Sequence, residues 1–128
     1  MSKILQHKHL IIRAEVKNPP KCVDFMDSWM KSLVEKIGMK ILDGPRTIYS
    51  DMEGNRGLTS SVILNTSNAC IHTWDEVDPG ILMFDIYSCG DLDPEAVLPE
   101  LDVFSPTKVE FLFLDREHGL NLLSHKKP

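Results

Sequence analysis

Three β-forming runs follow one another in quick order in the middle of this chain: Leu58 to Leu64, Ala69 to Trp74 and Ile81 to Ser88. Each is rich in β-branched or aromatic residues and is bounded by turn-forming ones. The connection from Asp75 to Gly80 is acidic and carries Pro79-Gly80, which marks a hairpin-type loop. Two further runs, Lys8 to Val16 and Lys108 to Leu114, flank this group. Between Met39 and Asp51, Gly44-Pro45 interrupts another strand with a turn or bulge. Strong helical spacing occurs at Val23, Met26, Met30, Leu33 and Ile37, and predicts a helix over 21–37 with Gly38 as its C-cap. Pro94 to Leu101 reads as a second, short helix broken near Pro99, and the pattern from Asp115 onward is weak. The order β-α-β-β-β-β-α-β predicts an α+β fold. We expect a two-layer α/β sandwich, with an antiparallel sheet and helices packed on one face.

The 128 residues suit one domain over 1–128, and no linker or repeat divides them. A core of this size is modest, which leaves room for a second copy to contribute stability. The 14 Lys and Arg are scattered and the net charge is −5, so no basic stripe is available for nucleic acid. His125-Lys126-Lys127 reads as a solvated tail. There is no run of about 18 apolar residues to span a membrane, and no signal-type apolar segment near Met1. Cys22, Cys70 and Cys89 are odd in number and lack a Cys-x-x-Cys spacing, which fits a reducing environment with a thiol free for chemistry. His7 and His9 would share one side of a strand, but no third ligand accompanies them, so no metal is expected. Cys70 reads as a small apolar residue, near Ser67 only in sequence.

Reactive side chains concentrate between Thr59 and Cys89. Ser67 is a nucleophile candidate, His72 a base candidate, and Cys89 a thiol acid or base, with Thr59 and Glu76 nearby. On residue types alone a plainer reading stands beside this one. Ser67-Asn68 would be a hairpin turn, His72 a half-buried strand residue, and Cys89 a small core side chain.

Two blocks favour the chemical reading. Gly57 to Glu76 (GLTSSVILNTSNACIHTWDE) resembles the core of the small pyruvoyl-dependent S-adenosylmethionine decarboxylases of bacteria and phages. Their pattern there is a β-run, a serine, and a short apolar step into His-[Ser/Thr]-aromatic-x-Glu. Phe84 to Pro94 (FDIYSCGDLDP) is similar to the same family's Asp-x-[Tyr/Phe]-[Ser/Thr]-Cys-Gly block. The blocks come in the family's order, in a chain of the family's length. Two positions depart from the pattern: Thr66 stands where Glu is common, and Asn68 where His is common. A β-branched Thr66 does not forbid the family's reaction, because the attacked group is backbone.

The resemblance implies a proenzyme. Ser67 would attack the Thr66 carbonyl, and an ester would form by N-to-O acyl shift. Elimination would then separate a β chain, 1–66, from an α chain, 67–128, whose end becomes a pyruvoyl group derived from Ser67. Thr59 would assist processing, and His72 would accept the Cα proton, a task suited to imidazole near neutral pH. The pyruvoyl carbonyl would form a Schiff base with the amine of S-adenosylmethionine and act as electron sink. Cys89 would protonate the product carbanion. Glu76 would bind the ribose diol. Trp74 would pack near the adenine, and a core tryptophan reads equally well. The product would be the aminopropyl donor of spermidine and polyamine synthesis. The resemblance also implies a homodimer of cleaved protomers with active sites near the subunit interface, in the cytoplasm of a bacterium or phage-infected cell. Two other functions fit the pattern less fully: a pyruvoyl-dependent arginine or ornithine decarboxylase, and a non-cleaving relative that binds ligand or regulates a partner.

Overall fold

The computed structural model describes residues 6–127. The chain runs β1 (Lys8–Val16), α1 (Val23–Lys36), β2 (Ile41–Ser50), β3 (Gly57–Leu64), β4 (Ser67–Trp74) and β5 (Gly80–Ser88). It continues through α2 (Pro94–Val97), a 3-10 turn (Leu98–Phe104), β6 (Pro106–Asp115) and β7 (Asn121–Lys126). The strands form one 7-stranded sheet in the order β2-β3-β4-β5-β1-β6-β7. Every neighbouring pair is antiparallel, as the sequence predicts.

Alternation decides the faces. On β1, Leu10, Ile12, Ala14 and Val16 point inward and are buried, while Ile11, Arg13 and Glu15 point the other way. Thr73 on β4 and Leu82, Phe84 and Ile86 on β5 continue the inner face. Helix α1 covers that face with Met26, Trp29, Met30, Leu33 and Val34. The Trp29 ring meets Phe84 edge-on at 5.9 Å and leans on Phe104 at 5.2 Å. Its indole N–H donates to the Glu100 carbonyl over 3.0 Å, which ties the 3-10 turn to α1. Burying each such large apolar side chain contributes about 1.5–3 kcal/mol. Gly38 ends α1 at φ +82, a conformation open to glycine without a Cβ penalty.

Among the described residues nothing covers the opposite face. It carries Ile48, Ile63, Met83, Ile11 and Leu112, all exposed, among polar residues. The architecture is thus an α+β sandwich of one sheet and one helical layer.

The interruption expected at Gly44-Pro45 is the bulge and not the turn: β2 runs through it as one strand, with register shifts at Ile41/Asp43 and Asp43/Arg46. Two expectations need adjustment. The weakly patterned end holds a strand, β7, paired to β6. Its side chains are exposed on both faces, so no hydrophobic alternation announces it, and backbone hydrogen bonds alone place it. Ser67 and Asn68 are not a turn. Leu64 pairs with Ser67, so the turn is Asn65-Thr66, and β4 starts at the serine.

Candidate active site

The β3–β4 hairpin brings Ser67 to the rim of the covered face. The turn residue Thr66 adopts φ 49, a left-handed conformation that a β-branched side chain rarely takes. Its hydroxyl donates to the Asn65 carbonyl over 2.8 Å. Ser67 is 9 % exposed, and its Oγ accepts the backbone N–H of Cys89 at 2.9 Å. The Cys89 thiol donates to the Asn65 carbonyl over 3.2 Å. The chain after β5 is fixed for this contact, because Ser88 Oγ accepts Gly90 N–H at 3.0 Å and donates to the Gly90 carbonyl. Hydrogen bonding from the Ser67 hydroxyl, then from Thr66, holds the Cys89 thiol below the ordinary thiol range, against a smaller opposing effect of burial. A hydroxyl, an acidified thiol and a strained peptide corner therefore meet within one turn.

His72 belongs to a second cluster. Side chains alternate along β4, so Ser67, Ala69, Ile71 and Thr73 face the helices, whereas Cys70, His72 and Trp74 face the open side. Thr59 stands opposite His72 on β3. Its Oγ1 lies 3.0 Å from His72 Nδ1, and Cys70 Sγ lies 3.3 Å from His72 Nε2. The Trp74 ring is 6.2 Å from the His72 ring. Burial, with help from the Asp85 charge, pushes the Cys70 thiol up. Sequence reasoning missed Cys70 as a member of this cluster. Its place two residues before His72, on the same strand face, is the signal that could have found it.

The two clusters do not meet within one chain. Five strand residues at ~3.3 Å each separate Ser67 from His72 by about 16 Å, and the side chains point to opposite faces.

Glu76 follows β4 and is engaged by the β2–β3 loop. Its carboxylate accepts Arg56 N–H at 2.8 Å and Arg56 Nη1 at 3.1 Å. The Arg56 N–H first, then that of Gly54, holds Glu76 below the usual carboxylate range. Arg56 also reaches Asp51 at 2.8 Å. The Trp74 indole N–H donates to Asn55 Oδ1 over 3.3 Å, so the same loop touches both predicted substrate-binding residues. Trp74 sits on the open face rather than in the core. His7 stacks on Tyr87 and bonds its hydroxyl, while His9 bonds Asp85, so both rings are engaged within the protein. Asp115, Glu117 and His118 also converge, but Lys8 bridges the two carboxylates.

Ser67 and Cys89 thus place a hydroxyl and a thiol beside one peptide bond, that between Thr66 and Ser67. Residues 9–117 match the sequence model of the S-adenosylmethionine decarboxylase family. The match spans most of the chain, which therefore belongs to that family of pyruvoyl-dependent carboxy-lyases. No curated protein matches the chain. No helix among the described residues is long and apolar enough to cross a membrane.

Proposed function

We propose that this chain cleaves itself between Thr66 and Ser67, and that the 1–66 and 67–128 products together decarboxylate S-adenosylmethionine to supply an aminopropyl donor for polyamine synthesis. The observation that carries this reading is the contact of Ser67 with Cys89 beside a left-handed Thr66. Backbone held in that region stores on the order of 1–3 kcal/mol, which scission releases. The Cys89 N–H holds Ser67 Oγ in place, and the acidified Cys89 thiol is the titratable group beside the hydroxyl. Ser67 Oγ attacks the Thr66 carbonyl, and the amide bond gives way to an ester with a free Ser67 amine. Loss of the Cα proton then expels residues 1–66 as the carboxylate, and water hydrolyses the dehydroalanine left at position 67 to the pyruvoyl group with release of ammonia. The residues present fit a pyruvoyl group at position 67, because the serine that would become it is already nearly enclosed beside a proton-bearing thiol. That group supplies an electron sink for the loss of carbon dioxide. Cys89 then holds the proton that returns to substrate carbon.

The Cα proton of Ser67 needs an acceptor, and His72 of the same chain is out of reach. We therefore assign each active site to two copies in a homodimer. One contributes Ser67 and Cys89, and the other contributes Thr59, His72, Trp74 and Glu76. Support comes from the uncovered sheet face, which exposes apolar side chains around the His72 cluster. Glu76, held ionised by its N–H partners, suits a ribose diol, and Trp74 offers a ring to the adenine and the sulfonium charge.

Intact mass of freshly purified protein tests the reading. Two fragments meeting at Thr66/Ser67, the second with a pyruvoyl end, together with carbon dioxide release from S-adenosylmethionine, are expected. A single uncut mass after long incubation overturns it.

A further inference from the structure

His72 is held at both ring nitrogens by side chains of the open sheet face. Thr59 Oγ1 is 3.0 Å from Nδ1, and Cys70 Sγ is 3.3 Å from Nε2. Thr59 is directly opposite on β3, and Cys70 shares the face of His72 because the two are alternate residues of β4. An imidazole tied at one nitrogen keeps freedom about its ring torsion, whereas one tied at both has a single orientation. The sequence hydroxyl, imidazole, orienting group is the arrangement that activates a hydroxyl. With Nε2–H donated to the Cys70 sulfur, the lone pair of Nδ1 faces the exposed Thr59 hydroxyl. Burial keeps the Cys70 thiol protonated, so the orienting group is neutral. On the reading that His72 serves the reaction at Ser67 of a second copy, we infer that Cys70 is a positioning residue: its sulfur fixes the His72 ring and its tautomer, so that Nδ1 addresses Thr59.

Other charged groups on this face also bear on His72. Asp85 stands opposite Cys70 on β5 and is bonded to His9 of β1 at 3.1 Å. Arg46 of β2 stands in register with Ser61, next to Cys70. Arg13 of β1 stands beyond Met83, which faces His72. None of these is bonded to the His72 ring, so a change caused by Cys70 separates from theirs.

The test compares full-length Cys70→Ala, Cys70→Ser and His72→Ala chains for self-cleavage rate, kcat and KM across pH, with thermal melting as a check on folding. Cys70→Ala should lower the cleavage rate and kcat roughly 10-fold through misplacement of the ring, with KM unchanged. A serine hydroxyl accepts in the same place, so Cys70→Ser should restore most of both. Nitrogen-15 shifts of His72, recorded on the uncleaved Ser67→Ala chain, should report one tautomer protonated at Nε2. Adding Cys70→Ala to that chain should mix the tautomers, and Cys70→Val gives the same readout if alanine lowers stability. Unchanged rates and tautomer in Cys70→Ala, beside an inactive His72→Ala, overturn the role of Cys70 and leave the wider reading intact. A fully active His72→Ala removes that wider reading and the inference with it.

Discussion

The backbone N–H of Cys89 donates to Ser67 Oγ over 2.9 Å, joining residues 22 apart in sequence at the same end of the sheet. The contact holds the hydroxyl beside a left-handed peptide corner and beside a thiol that ionises more readily than usual.

Ser67→Ala should abolish both activities. Intact mass should show one full-length chain, and carbon dioxide release from S-adenosylmethionine should fall to background. Cleavage at Thr66/Ser67 in this variant would rule out Ser67 as the nucleophile.

The two thiols near the sites should alkylate in opposite pH order. Hydrogen bonding from the Ser67 hydroxyl lowers Cys89, so its thiolate forms at lower pH than that of an ordinary thiol. Burial raises Cys70, whose thiolate forms at higher pH. Mass-resolved iodoacetamide labelling of the uncleaved protein across pH should therefore modify Cys89 first. Ser67→Ala removes the largest cause and should move the Cys89 profile upward. A Cys89 profile that stays put would show that the hydroxyl does not act on the thiol.

Complementation tests the two-copy site. Co-expressed Ser67→Ala and His72→Ala chains, each inactive alone, should form mixed dimers with one intact site. With random pairing, about a quarter of the sites regain activity. Were each site built within one chain, no activity would return.

Glu76→Gln should raise KM for S-adenosylmethionine roughly 10- to 100-fold, the worth of a hydrogen bond to a charged group, and change kcat far less. Equal loss in kcat with unchanged KM would place Glu76 in the chemistry instead of in binding.

Gly57→Ala should destabilise the hairpin that carries the site. A Cβ at Gly57 would stand 1.7 Å from the Thr73 carbonyl oxygen, so β3 and β4 must separate there. A loss of about 1–3 kcal/mol in denaturant unfolding is expected, as for other forced overpacking. An unchanged midpoint would mean that the strands absorb the methyl group freely.

The sequence by itself determined the first helix, expected over 21–37 and found at Val23–Lys36, the antiparallel order of the central strands and the residue types of the site. These depend on local periodicity, on short connections and on which side chains can act as nucleophile, acid or base. β7 escaped because a strand exposed on both faces leaves no apolar alternation to read. The start of β4 escaped by two residues, and with it the parity that sets Ser67 and His72 on opposite faces. The contact of Cys70 with His72 follows from alternation along β4 alone, whereas only the tertiary structure decided that Cys89 meets Ser67. That pairing follows from the register of β4 against β5 and from the closing turn at Ser88–Gly90. Long-range register is fixed by packing of the whole sheet against α1, and no local stretch of residues encodes it.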